Sequence, residues 1–243
     1  TSSGYAYISA YGGAIYNSSN ATIGDITGDF IGNYASSSSS SYTYGGAIYN
    51  NGSIGDITGD FIGNYAQSSS SHANGGAIDN NGTIGDITGD FIGNYASSSS
   101  SSSYSANGGA INNGGTITSI TGDFIGNYVS SSSSRAAANG GAIYNVDTIG
   151  DITGDFIGNY SSSSSDDDDD AGTGAIYNYG TIGNITGDFI GNYASGSKYA
   201  DGGAIYNDYN SSIGNITGDF IGNYAQGQTG AQGGAIWNDG TIG

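Results

Sequence analysis

Apolar and polar residues alternate along this chain in one short phrase that is written again and again. G-G-A-I recurs with its Ile at 15, 48, 78, 111, 143, 176, 205 and 236, the copy at Ile176 reading T-G-A-I. T-G-D-F-I-G-N-Y recurs with its Phe at 30, 61, 91, 124, 156, 189 and 220, at spacings of 31, 30, 33, 32, 33 and 31 residues. A period of this size marks a solenoid, whose repeats cannot bury a core alone and must stack on their neighbours. Period-two alternation then assigns the faces. In D-I-T-G-D-F, Ile26, Gly28 and Phe30 face one way and Asp25, Thr27 and Asp29 the other. The apolar set is predicted inside. I-G-N-Y-A places Ile31, Asn33 and Ala35 inside and Tyr34 outside, so a corner is expected between Phe30 and Ile31. G-G-A-I-Y-N turns Ile15 and Asn17 inward and Tyr16 outward. Ile23 and Ile26, three apart, break the alternation and predict another corner.

Length variation separates framework from connector. The Ile of T-I-G or S-I-G is always seven residues before the next Phe, as from Ile23 to Phe30 and from Ile84 to Phe91. The segment between G-N-Y and the next G-G-A varies, running to 10, 9, 12, 11, 12, 8 and 8 residues. Connectors tolerate insertions and ladders do not. Without the long connector roughly 20 residues remain per coil, the size of a three-sided β-solenoid coil. The predicted fold is all-β: a parallel β-solenoid of about seven coils, each of three short strands, with long Ser-rich connectors at one corner. Residues 1–243 form a single repeat array. The sequence starts in a connector and stops within a repeat, so it reads as a segment of a longer chain or fibre.

Composition agrees. Leu, Met, Cys, Pro and Glu are absent, which removes most strong helix formers. Ile, Thr, Tyr, Phe, Gly and Asn remain, the chemistry of strands and turns. The 21 acidic residues are all Asp, against Arg135 and Lys198, for a formal charge of −19. That excludes nucleic-acid phosphates and anionic lipid as electrostatic partners. No apolar run approaches the roughly 18 residues of a membrane span, so no membrane insertion of this segment is expected.

The pairing of Gly45-Gly46-Ala47-Ile48 with Phe61-Ile62-Gly63-Asn64, repeated along the chain, resembles the GGA(I/L/V) and FxxN repeats of chlamydial polymorphic outer membrane proteins and related bacterial autotransporter passengers. The resemblance implies a right-handed parallel β-helix, export to the bacterial cell surface or beyond, and an adhesive or structural role there. The chain departs from such passengers in its uniformity, its long Ser runs and the lack of a visible C-terminal translocation barrel. Uniformity favours a stalk or fibre over recognition of one receptor.

Candidate chemistry lies in the outward columns. Asp29, Asp60, Asp90, Asp123, Asp155, Asp188 and Asp219 recur in every copy. Carboxylates stacked about 4.8 Å apart repel by roughly 1 kcal/mol per neighbour in water, so their recurrence needs a reason. Each accepts a backbone N–H at the corner before Phe, or the column holds Ca²⁺ through its oxygens. The neighbouring column, Asp25, Asp56, Asp86, Ser119, Asp151, Asn184 and Asn215, is looser and makes no strict ligand set. Tyr34, Tyr65, Tyr95, Tyr128, Tyr160, Tyr193 and Tyr224 form an outward ladder, either covering the sheet or offering a surface for glycans or lateral packing. The Asn33 and Asn17 columns are read as buried amide ladders. The Ser runs and Asp166–Asp170 are read as a flexible hydrophilic fringe, with an O-glycan carrier as the alternative. Equivalent repeats argue against an enzyme, because catalysis needs one special place. The expected function is a non-catalytic extracellular or cell-surface structural protein, assembling head to tail or laterally with itself. A module that binds host or matrix glycans, or a surface such as ice, through its Tyr, Thr and Asp columns is the alternative.

Overall fold

A computed structural model describes residues 9–38, 42–100, 104–132, 135–165 and 172–243. Among these, every helical or strand element is a β-strand, and the strands pair in parallel into a solenoid of about seven turns. One turn shows the plan: Ala73–Asn74, Ile78–Asn80, Thr83–Thr88, Phe91–Ile92 and Tyr95–Ser98. Each strand lies on its equivalent in the next turn, with Ile78 on Ile111, Phe91 on Phe124 and Tyr95 on Tyr128. The ladder of Ile-x-Asn strands runs unbroken through eight copies, and the Phe-Ile ladder through seven. Conserved framework spacing thus becomes vertical register, as period-two strands require.

The main core lies between the Ile-x-Asn, Thr-to-Thr and Phe-Ile ladders. Phe61, Phe91, Phe124, Phe156 and Phe189 are fully buried. Their rings stack at 4.7–4.8 Å, nearly parallel. Both Ile columns of T-I-G-D-I-T point inward, as Ile84 and Ile87 show. The expected break in alternation is therefore present, but it is a bend within one strand run rather than a junction between sheets. Each Phe or Ile contributes about 1.5–3 kcal/mol of gross burial. The four that each turn buries, such as Ile78, Ile84, Ile87 and Phe91, together contribute less than the backbone entropy of the turn, at about 1–2 kcal/mol per residue. Hydrogen bonds and contacts between turns make up the difference.

Two buried amide ladders run through the core. In the Asn33 column, Asn94 Nδ2 donates to Asn127 Oδ1 at 2.9 Å and to the Phe61 carbonyl at 2.8 Å. Asn127 Oδ1 also accepts the Asn94 backbone N–H at 2.9 Å. Every polar position on the amide is used, and the pattern repeats from Asn64 to Asn192. The Asn17 column passes Nδ2–Oδ1 bonds of 2.7–2.8 Å through all eight members.

The corners fall at glycines, which corrects the sequence reading. The Phe–Ile strand is flanked by Gly122, at φ 150°, and Gly126, at φ 61°. Both values favour glycine. At Gly122 a Cβ would also lie 2.1 Å from the Gly89 carbonyl oxygen. With corners on either side, Phe30 points in and Ile31 points out, 63% exposed. No corner separates them. Ile62, Ile92, Ile125, Ile157 and Ile190 are half-exposed, and Ile221 is exposed, in the same outward column.

Beyond the three strands expected, each typical turn carries two more, built from the connector. The first residues of the Ser runs continue the Tyr34–Ser37 type of strand. Ser37, Ser68, Ser98, Ser131 and Ser163 face inward and are buried. Opposite them run the Ala-Asn strands, and Ala73, Ala96, Ala106, Val129 and Ala138 pack into a second, thin core. Small side chains let the two strands approach closely, so the lobe closes on Ala and Ser where a fringe was expected. Further along the runs Ser71, Ser100 and Ser165 are buried as well, while residues 39–41, 101–103, 133–134 and 166–170 lie outside the described residues.

Asn127→Ala leaves the Asn94 and Asn159 amides each short of a partner, at a cost of about 1–3 kcal/mol. Chemical denaturation should show that loss, and a stability unchanged within a few tenths of a kcal/mol would remove the ladder from the core.

Candidate functional site

The Asp29 column sits just before each Phe, where the glycine at φ 135–154° turns the peptide and ends regular pairing. There the backbone N–H of each Asp finds the carboxylate of the preceding turn. Asp60 N–H donates to Asp29 Oδ1 at 3.0 Å, Asp123 to Asp90 at 2.8 Å, and Asp219 to Asp188 at 2.7 Å. Asp90, Asp155 and Asp188 complete the series at 2.7–2.9 Å. A hydrogen bond to a charged acceptor contributes about 1.5–3 kcal/mol, more than the roughly 1 kcal/mol of repulsion between neighbours. The acceptor role read from the sequence thus has a definite donor, the N–H of the next Asp.

The looser column does the same work with less strict chemistry. Asp86 N–H donates to Asp56 Oδ1 at 2.9 Å, and Asn184 N–H to Asp151 Oδ1 at 2.7 Å. Where Asn replaces Asp, Asn184 Oδ1 still receives the Asn215 N–H at 3.0 Å. Ser119 instead donates its hydroxyl to Asp86 Oδ1 at 2.7 Å. No group of three or more His, Cys, Asp or Glu side chains placed to hold one metal ion occurs among the described residues.

The Tyr34 ladder is outside, as expected. Rings from Tyr34 through Tyr160 stack at 4.9–5.1 Å and within 9° of parallel, and Tyr193 stacks on Tyr224 at 4.2 Å. Burial, and then neighbouring phenols, raise the pKa of Tyr95 and Tyr128 above the ordinary tyrosine value. Around the Gly32-type corner this ladder adjoins the outward Ile31 column. Together they form an apolar stripe along the axis.

The Tyr16 column also points away from the main core, as read from the sequence. It does not cover a free sheet but lines a cleft between the main core and the second lobe. Tyr49 packs 4.9 Å from Tyr11 and 5.6 Å from Tyr44, which belong to the lobe. At the other end Tyr177 stacks on Tyr206 at 4.5 Å, and Tyr206 on Trp237 at 4.3 Å. Between these clusters the column holds Asp79 and Asn112. Asp79 is fully buried. Asn81 Nδ2 donates to its Oδ1 at 2.9 Å and Asn112 Nδ2 to its Oδ2 at 3.1 Å. Burial pushes its carboxyl up to about 7, against the opposing pull of those two amides. The break in the Tyr column at 79 was the available sequence signal. Its burial was not legible, because the lobe that covers it was read as a fringe.

These surfaces define a class: an all-parallel β-solenoid whose side chains, inside and out, are organised as columns. Comparison with protein-family models, with curated proteins and with solved structures finds no match for this chain. Among the described residues, no helix is long and apolar enough to cross a membrane.

Asp79 sets a pH dependence whose sign is fixed. The native carboxyl titrates near 7 and the ordinary value is 3.8. Between these values the folded protein holds a proton that the unfolded chain has released. Stability therefore falls as pH rises through this window, by up to about 1.4 kcal/mol per pH unit. Asn112 in the next turn shows that an amide fits the column. Asp79→Asn is expected to flatten the profile and to raise stability at pH 8. Asp201, also raised by burial, adds a slope of the same sign. Denaturation at pH 5 and pH 8 for both proteins checks this.

Proposed function

We propose that this chain is a non-catalytic structural rod, built to be extended by copies of its own surface. The observation that carries this reading is that each turn presents to its neighbour the same columns in the same register. Phe meets Phe, Asn meets Asn, and the outward Asp, Ile and Tyr columns continue without interruption. Such a turn-to-turn contact is heterologous and does not close on itself, so it can propagate into a filament. The Ile31–Tyr34 stripe supplies a second, lateral contact, since contiguous exposed apolar surface marks association sites. An extracellular or bacterial cell-surface location, as stalk, adhesin passenger or fibre, rests on the likeness of the G-G-A-I and F-I-G-N repeats to autotransporter passengers. Electron microscopy of the purified protein should show rods that join end to end or bundle, and light scattering should show mass rising with concentration. A concentration-independent monomer would count against self-assembly.

A second reading is favoured by the exposed stacked phenols themselves. Tyr34, Tyr160 and Tyr224 are 58%, 37% and 49% exposed, and flat aromatic rows suit sugar faces. If the ladder holds host or matrix glycans, Tyr95→Ala with Tyr128→Ala abolishes retention on immobilised glycans at a temperature where circular dichroism shows the variant still folded. Equal retention by the double variant sinks this reading.

A further inference from the structure

The repeat is broken once in the second lobe, and the break leaves oxygens unpaired. Through Asn74, Asn107 and Asn139 the lobe carries its own amide column, with Asn107 Nδ2 on Asn74 Oδ1 at 3.1 Å and Asn139 Nδ2 on Asn107 Oδ1 at 3.2 Å. Each of these residues precedes the first Gly of a G-G-A. In the next turn Thr173 takes that Gly's place. Its carbonyl accepts the Gly141 N–H as Gly140 accepts that of Gly109. Gly172, however, pairs with Ala200, and its carbonyl accepts the Asp201 N–H at 3.1 Å. It therefore occupies the Ala column, not the Asn column. One residue is missing from the ladder here. The column of Asn139 resumes only at Asp201, which pairs with Gln232.

The consequence is a local set of oxygens without partners. Asn139 Oδ1, above the gap, and Asp201 Oδ1, below it, are buried without a hydrogen-bond partner. Thr173 Oγ1, in the turn between them, is also unpartnered, and Thr173 is fully buried. So is Ser161 Oγ, from a column that otherwise holds Ala or Val. A Cβ built on Gly172 would lie 2.8 Å from that Ser161 Oγ and 3.4 Å from the carbonyl oxygens of Ala138 and Ser195. These are the four buried side-chain N or O atoms without a partner among the described residues, and they fall in the three consecutive turns around the gap. Buried polar atoms are rarely left unsatisfied.

We propose that the gap between Asn139 and Asp201 is a site for one small hard cation, held by Asp201 Oδ1, Asn139 Oδ1 and the Thr173 hydroxyl. The donor set fits: one carboxylate and neutral oxygens, with no nitrogen ligand, suit a cation such as Ca²⁺ or Na⁺ rather than a transition metal. The formal charge of −19 concentrates cations near the surface. The site is distinct from the Asp29 column, whose Oδ1 atoms are engaged by backbone N–H groups.

The probe is Ca²⁺ itself, added over a chelated sample at constant ionic strength set by tetramethylammonium chloride. Millimolar Ca²⁺ is expected to raise the Tm of the native chain, since a ligand bound only to the folded state stabilises it by mass action. Asp201→Asn should abolish that rise and lose one bound Ca²⁺ per chain in equilibrium dialysis. Asp123→Asn, in the outward acidic column, should retain both. A Tm unmoved by Ca²⁺, an Asp201→Asn protein that responds like the parent, or a high-resolution map showing only water between Asn139 and Asp201 would each overturn the proposal.

Discussion

Everything in this molecule depends on like sitting on like. A parallel ladder in register brings each residue within about 4.8 Å of its own copy, so only side chains that tolerate themselves as neighbours can fill a column. Asparagine does this best. The Asn127 amide gives one hydrogen to Asn159 Oδ1 and one to the Phe91 carbonyl, and it receives both the side chain and the backbone N–H of Asn94. Removing a member therefore affects two neighbours at once. Phenylalanine follows with parallel stacking, and isoleucine with shape alone.

Aspartate tolerates itself least, and the structure shows how it is kept. A carboxylate above a carboxylate is unfavourable, yet each also stands above an unpaired N–H that the glycine turn has left without a carbonyl. The hydrogen bond outweighs the repulsion, and the column persists. The same logic explains the looser companion column. There the only requirement is an oxygen in reach of the next N–H, which Asn184 meets as well as Asp151.

The framework was legible in the sequence because the constraint acts on identity. A fixed seven-residue interval from Ile23 to Phe30 could only mean register, and the Phe, Asn and outward Tyr34 columns followed from alternation. What escaped had weaker signals. Alternation with Asn33 and Ala35 assigns Ile31 inward, but the glycines at 28 and 32 bracket a two-residue side with room for one inward side chain. The second lobe was hidden because Ala and Ser carry no hydrophobic pattern of their own and bury only against each other. With the lobe unseen, the cleft that covers Tyr49 and encloses Asp79 was unseen too. The unpaired oxygens around Gly172 needed the pairing itself, since counting residues back from Ala175 would place Gly172 in the Asn column.

The stacking also fixes an exchange between chain and length. A period of 31 residues could span about 100 Å if fully extended, but here it advances the body by one ladder step of about 4.8 Å. Such a design is a poor way to reach far and a good way to resist bending, because every step is clamped by hydrogen bonds from several sheets around the perimeter. Since neighbouring turns present interchangeable faces, a gene that gains or loses one period alters reach by a single increment and disturbs no contact elsewhere. Recombination between near-identical repeats can thus tune the body like the marks on a ruler, with the folding code of every other turn untouched.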